Sequence, residues 1–116
     1  MQESIKIDKI TNALVEVGIP ANLRGFTYII KAEQLIAENQ EYMIGITKAL
    51  YLDIAKAFGT TPCNVERCIR TAIADGWKVT PGDVKMKIFG NTINTGKVHP
   101  TNAHFIVMLY YYITLQ

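Results

Sequence analysis

The sequence predicts an all-α domain of about six helices built around a central helix-turn-helix. Apolar residues recur at helical spacing along most of the chain. A hydrophobic fraction of 49% with 19% charged residues is typical of a folded domain. In the run 51–71, Ala55, Gly59 and Val65 follow one another at offsets of four and six residues. We therefore treat residues 1–116 as one helix-turn-helix domain, with its core at about 47–78.

The first two helices are predicted from their apolar stripes and end signals. The first carries a stripe at i, i+3, i+7 and i+10: Ile7, Ile10, Leu14 and Val17. Gly18 and then Pro20 should end it. Asn22 is expected to cap the second helix, where Glu33 interrupts the apolar pattern. That pattern includes Phe26, Ile29, Ile30 and Ile36.

The first helix of the helix-turn-helix should follow a connector at 39–46 that has room for one helical turn. Thr47 is a candidate cap for it. Ile54 and Phe58 should complete its buried side around the small Ala55. Gly59 is expected in the turn, where a left-handed backbone costs glycine little.

The second helix of the motif is predicted at about 62–77. Thr60 and Thr61 are both candidate caps, and Pro62 suits the first helical turn. Its buried stripe should consist of Val65, Ile69, Ala72, Ile73 and Trp77.

The rest of the chain should hold a short helix, a loop and a last helix. Pro81 and Gly82 break the chain, and Asp83 can start a helix that reaches Phe89. Residues 90–100 are expected to form a loop, before a last helix that Thr101 or Asn102 caps and that ends near Leu115.

The outward side of the predicted helix 62–77 has residue types that suit DNA base edges. Asn64, Arg67 and Thr71 share that side, flanked by Cys63, Glu66 and Arg70. Arginine can bind guanine in a fork, asparagine can bridge adenine, glutamate can accept from cytosine, and threonine can touch the thymine methyl. Base contacts are therefore expected from Asn64, Glu66, Arg67 and Thr71. The alternative is a solvated face on which Glu66 and Arg70 only pair with each other.

Contacts to the DNA backbone are expected around this helix. Thr60 and Thr61 lie at its start, where hydroxyls and free amides can hold a phosphate. Arg70, Lys97 and His99 are further candidates, and weaker ones are Lys56, Lys85 and Lys87. Residues 59–116 carry six basic and three acidic side chains, whereas residues 1–58 carry six basic and seven acidic ones. This difference in charge favours binding of a polyanion by the second half of the chain.

The motifs assembled so far resemble those of a known family. The stretch 46–73, ITKALYLDIAKAFGTTPCNVERCIRTAI, resembles the C-terminal effector domain of stage-zero sporulation protein A, a response regulator of endospore-forming bacteria. The resemblance continues through 88–108 and back to 17–29. It implies a six-helix DNA-binding domain, transcriptional activation or repression, and a head-to-tail homodimer on tandem boxes. It also implies RNA polymerase as a partner.

Residue by residue, the resemblance places DNA contacts between Cys63 and Thr71, and it adds Cys63 to the expected backbone contacts. Members usually carry Arg where Asn64 stands and His where Thr71 stands, so their box sequence should not be transferred unchanged. A Lys is common where this chain has His99. No receiver domain is expected within this chain, which fits both an excised effector domain and a stand-alone relative.

The last predicted helix has apolar residues on both sides. Phe105, Met108, Leu109 and Tyr112 should face the core, and Ile106, Val107, Tyr110 and Tyr111 lie opposite. A helix apolar all round is either central to the core or meets a partner. Tyr110 and Tyr111 are therefore candidate dimerisation residues. A helical protein-interaction module without specific DNA binding is the alternative function.

Other classes of protein have little support in the sequence. No paired carboxylates, glycine-rich phosphate loop or serine elbow point to an enzyme, and no cofactor is expected. Cys63 and Cys68 cannot bridge on one helix, and with His99 and His104 they are not expected to converge on a metal. Free thiols and the lack of a signal peptide or long apolar run lead us to expect a soluble cytoplasmic protein.

Overall fold

A computed structural model describes residues 6–44, 48–92 and 98–115. All regular secondary structure within these ranges is helical, which confirms the all-α class. The six α-helices there are α1 (Ile7–Val17), α2 (Arg24–Glu38), α3 (Lys48–Phe58), α4 (Pro62–Trp77), α5 (Gly82–Phe89) and α6 (Asn102–Thr114). Two short 3-10 helices, Gln40–Met43 and Gly90–Thr92, follow α2 and α5.

Helix α1 ends where its sequence predicts. Gly18 has a φ of 101°, and its N–H donates to the carbonyl oxygen of Leu14 at 3.0 Å, as in many helix C-terminal caps. The predicted stripe is buried except at its first residue. Ile7 is 53% exposed, because a stripe predicts the buried side of a helix but not how far neighbouring helices extend along it.

The start of α2 differs from the expectation. Asn22 does not cap it: Leu23 occupies the cap position, and no side chain there bonds to the helix amides. The N–H of Phe26 instead donates to the Leu23 carbonyl oxygen at 3.1 Å. After α2, the side chain of Asn39 caps the predicted single turn in the connector. Thr47, the expected cap of α3, lies outside the described residues.

Glu33 lies on the buried side of α2 rather than interrupting it. Its side chain is fully buried, and neither carboxyl oxygen has a hydrogen-bond partner. Burial in apolar surroundings raises the pKa of the Glu33 carboxyl well above its usual range, because the charged form loses its hydration.

The core is organised around α4, which packs along α2 more extensively than along α3. Its predicted buried stripe is confirmed, with Val65, Ile69 and Ala72 entirely covered. The close approach of α2 to α4 depends on a glycine. A Cβ on Gly25 would lie 2.3 Å from the carbonyl oxygen of Cys68, so α2 can approach the α4 backbone only without a side chain at Gly25.

Helix α6 closes the core from the other side. Thr101 caps it, accepting the N–H of His104 at 3.1 Å. Phe105 and Leu109 are buried as predicted, whereas Met108 and Tyr112 are only half-buried.

The opposite side of α6 is largely covered as well. Ile106 is fully buried, and Tyr110 is 6% exposed with its hydroxyl accepting from Gln40 Nε2 at 3.2 Å. Tyr110 therefore packs in the core, and its role in dimerisation stays a prediction. Tyr111 is 45% exposed.

Within the described ranges, none of the helices has the length and apolar character needed to cross a bilayer.

Candidate nucleic-acid interface

The turn between α3 and α4 is formed by Gly59, which has a φ of 67°. The N–H of Thr60 donates to the carbonyl oxygen of Ala55 at 3.0 Å and closes the end of α3. Ala55 and Ile54 are buried against the next helix, as predicted. Phe58 is not buried as the sequence predicts: it is 44% exposed, and its ring contacts that of the buried Tyr28, with centroids 5.3 Å apart.

The two threonines at the start of α4 have different roles. Thr61 is the cap: its Oγ1 accepts the backbone N–H of Asn64 at 3.1 Å, and Pro62 follows in the first turn. Thr60 accepts a bond from a side chain instead, since Asn64 Nδ2 donates to its Oγ1 at 2.9 Å. Because Pro62 has no backbone N–H, the amide of this first turn that is left without a partner in the helix is that of Cys63.

The outward face of α4 is largely as the sequence predicts. Arg67, Arg70 and Thr71 are exposed, and Cys63 is exposed at the first turn. Asn64 differs, because it is half-buried and both ends of its carboxamide are engaged. Its Oδ1 accepts a bond from Arg67 Nη2 at 2.9 Å, and the Cys68 thiol lies 3.7 Å from the same oxygen.

Glu66 and Arg70 form the expected ion pair one turn apart. The Glu66 carboxylate raises the pKa of Arg70 by accepting its hydrogen bond, so the guanidinium stays charged. Both side chains remain partly exposed, and the pair is open to solvent screening. The arrangement is compatible with a solvated pair and with an Arg70 held ready for a phosphate.

The backbone of Glu66 ties α4 to the start of α6. Asn102 Nδ2 donates to the Glu66 carbonyl oxygen at 3.0 Å and to the Tyr51 hydroxyl at 3.2 Å. Burial raises the pKa of Tyr51, so its phenol stays a neutral partner. The sequence suggested only a capping role for Asn102. These bonds bring the start of α6 next to the first turns of α4.

Two clefts flank the exposed face of α4. One, of about 480 Å³, lies between α3 and α4 and is lined by Lys48, Tyr51, Leu52, Pro62, Cys63 and Glu66. The other, of about 180 Å³, lies between the start of α2 and α4 and is lined by Leu23, Arg24, Gly25, Arg67, Cys68 and Thr71.

These clefts add two basic residues that sequence reasoning missed. Arg24, exposed at the first position of α2, shares a cleft with Arg67 and Thr71, and Lys48 shares the other with Glu66. The sequence signal that could have identified Arg24 is its position directly before Gly25, the residue that allows α2 to pack closely on α4.

The other predicted phosphate contacts are scattered. Lys85 lies 4.7 Å from the ring centre of Trp77, the last residue of α4, about 22 Å along the helix from Pro62. Lys87, on α5 with Lys85, donates to the Glu16 carboxylate at 3.1 Å. Both therefore lie apart from the N-terminal half of α4. Lys56 is exposed on α3, and Lys97 lies outside the described residues.

His99 is half-buried, with its Nδ1 2.9 Å from the carbonyl oxygen of Pro100. The two cysteines have no disulfide. Across the described ranges, no three His, Cys, Asp or Glu side chains come close enough to hold a metal ion.

Comparison with known families agrees with this geometry. The family model described as sporulation initiation factor Spo0A C terminal matches residues 10–113 of the 116-residue chain. The match spans α2 to α5, most of α1 and all but the last residue of α6, and it includes every residue of both flanking clefts. This chain belongs to the Spo0A C-terminal family, and it is a DNA-binding effector domain of the sporulation-regulator type.

Proposed function

We propose that the domain is a sequence-specific transcription regulator whose α4 lies in the major groove of duplex DNA. The observation that carries this proposal is the exposed face of α4, where Arg67 and Thr71 are open to solvent. Asn64 to Thr71 span seven residues, about 10 Å along the helix, which fits a groove about 12 Å wide. Arg67 reads a guanine, and Glu66 and Thr71 read neighbouring bases.

The duplex backbone is held from both sides of α4. Thr60, Thr61 and Cys63 hold one phosphate at its first turn, where the N-terminal end of the helix dipole favours an anion. Arg70 meets the same strand. Arg24, from the cleft beside Arg67 and Thr71, reaches the opposite strand.

The test is selection of bound duplexes from a random pool, followed by binding of variants to the enriched duplex. Arg67→Ala should weaken specific binding by about 1–3 kcal/mol and relax one base position. Lys9→Ala, which removes an exposed charge on α1, is the matched control and should bind as the parent does. Affinity should fall steeply with salt, because neutralised phosphates release counterions.

Two results would contradict the proposal. An unenriched pool would mean that α4 reads no sequence. An equal loss for Arg67→Ala on random and selected DNA would restrict Arg67 to a phosphate contact.

We further propose that two copies bind tandem boxes head to tail, with Tyr111 contributing to their contact. Tyr111 is the exposed tyrosine of α6, whereas Tyr110 supports the core. Tyr111→Ser should lower cooperativity on a two-box duplex without changing affinity for one box. Equal cooperativity in both proteins would remove Tyr111 from the contact.

Binding of RNA polymerase is a separate proposal, tested by co-sedimentation on the same duplex.

The second candidate function is a helical protein-interaction module that keeps the fold without reading DNA. The modest net charge of +2 and the exposed Tyr111 favour it. Retention on a protein partner at high salt, together with no duplex binding at low salt, would select this function over the first.

A further inference from the structure

The contacts of Asn64 assign it a role other than reading a base. Resting on the proposed function, we infer that Asn64 is a positioning residue: its carboxamide fixes the guanidinium of Arg67 before DNA arrives and thereby sets how strictly Arg67 selects its base.

The inference starts from a chain of three hydrogen bonds that runs from α3 to Arg67. The N–H of Thr60 donates to the Ala55 carbonyl oxygen at 3.0 Å. Thr60 Oγ1 then accepts from Asn64 Nδ2 at 2.9 Å, and Asn64 Oδ1 accepts from Arg67 Nη2 at 2.9 Å. Arg67 is thus connected through side chains to the fixed turn of the helix-turn-helix.

The orientation of the amide follows from its partners. An arginine guanidinium has only donors, so the atom of Asn64 that faces Arg67 must be the oxygen. The nitrogen is then left for Thr60. An asparagine that reads adenine needs the same oxygen and nitrogen for the base edge. Asn64 Oδ1 already accepts from Arg67 Nη2 and from Cys68 Sγ, which occupies both of its lone pairs, so the fork that reads adenine has no acceptor in this arrangement. Asn64 is also half-buried, whereas Arg67 is exposed.

The bond to Asn64 leaves Arg67 able to bind a guanine. A guanidinium has five N–H donors, and one of them is used here. The others remain free for the fork that binds guanine O6 and N7. A long, exposed arginine side chain loses considerable rotamer freedom when it is ordered on binding. Because Asn64 holds the Arg67 side chain in place before binding, the entropy lost on binding is smaller. Bases that require a different position of the guanidinium are bound less well.

The experiment measures binding of four variants to the duplex selected by the parent protein and to its single-base substitutions. They are Asn64→Ala, Asn64→Asp, Arg67→Ala and the double variant Asn64→Ala/Arg67→Ala. Arg67→Ala first identifies the base that Arg67 reads. Asn64→Ala should then reduce discrimination at that same position by about fivefold to tenfold, part of the range of one good arginine–guanine contact.

Asn64→Asp separates positioning from direct reading. A carboxylate still accepts from Arg67 and can accept from the Thr60 hydroxyl, but it cannot donate to a base. Discrimination should therefore stay within about twofold of the parent, even if the added negative charge weakens binding to every duplex. Asn64→Ala should cause no further loss of discrimination in the Arg67→Ala background. Alanine is a strong helix former, so circular dichroism should show the same helix content as in the parent protein.

Two results would overturn the inference alone. In one, Asn64→Ala and Asn64→Asp lose discrimination equally at a position that Arg67→Ala leaves unchanged. In the other, the Asn64→Ala and Arg67→Ala effects on discrimination are additive. If the parent protein enriches no duplex, the proposed function fails as well, and that outcome is recognised before any variant is measured.

Discussion

The contact between Gly25 and α4 gives the sharpest test of the packing that presents the interface. Gly25→Ala places a methyl group 2.3 Å from the Cys68 carbonyl oxygen and 2.6 Å from the Ala72 methyl carbon. Ordinary contacts begin near 3.4 Å, so α2 and α4 must separate by about 1 Å. The neighbours are a helix backbone and a short side chain, and neither can turn away.

The expected cost follows from the rigidity of that contact. Overpacking a core costs about 1–3 kcal/mol, and a backbone neighbour places Gly25→Ala at the upper end. The gain from replacing glycine by alanine in a helix offsets at most about 1 kcal/mol. We expect a net loss of about 2 kcal/mol, which lowers the melting temperature by roughly 8–10 °C in a domain of this size.

The assay is urea and thermal unfolding followed by circular dichroism, with Gly82→Ala as the matched control. Gly82 starts α5, and a Cβ there meets nothing within 4 Å, so this variant should be as stable as the parent or slightly more so. DNA binding by Gly25→Ala should also weaken, because Arg67 and Thr71 lie on the helix that moves. If Gly25→Ala unfolds at the same urea concentration as Gly82→Ala, the packing argument is refuted.

Three further predictions concern single interactions and are read from urea unfolding. Glu33→Leu should stabilise the fold at pH 7, because the raised pKa of Glu33 makes wild-type stability fall as pH rises above the usual value of 4.5. That gain should shrink as pH drops towards 4.5; a gain independent of pH would argue against a buried neutral carboxyl. Thr61→Ala removes the α4 cap and should cost about 1 kcal/mol, whereas no change would mean that the first turn needs no cap. Thr80→Val removes the buried hydroxyl whose one proton is shared between the carbonyl oxygens of Val17 (2.7 Å) and Gly76 (2.9 Å), and it should cost about 1–2 kcal/mol. A neutral Thr80→Val would show that those carbonyls find other partners.

Much of the candidate site could be predicted because it depends on local spacing. Val65 and Ile69 point inward once residues 62–77 are helical, so Arg67 and Thr71 must point outward. Which polar groups pair with one another could not be predicted in the same way. The sequence predicts Asn64 on the outer face with Arg67. In the structure the turn brings Thr60 within hydrogen-bond distance of Asn64, whose side-chain amide binds both Thr60 and Arg67.

The two tyrosines predicted to form a dimer contact illustrate a second limit. Tyr110 and Tyr111 are adjacent and equally apolar in the sequence, and periodicity places both on the side of α6 opposite the predicted stripe. Tyr110 is buried near Gln40, whereas Tyr111 remains exposed. A helix that is apolar all round carries no pattern that distinguishes a core neighbour from a partner.

The sequence by itself determined the helices, the glycine turns that end α1 and α3, and the outward side of α4, because these depend on residues within a few positions of one another. Only the tertiary structure decided how deeply Phe58, Tyr110 and Glu33 are buried, and that Arg24 lies beside Arg67. Burial and proximity of this kind depend on which helices approach each other and how closely. The bare backbone of Gly25 against Cys68 controls that approach at the α2–α4 contact.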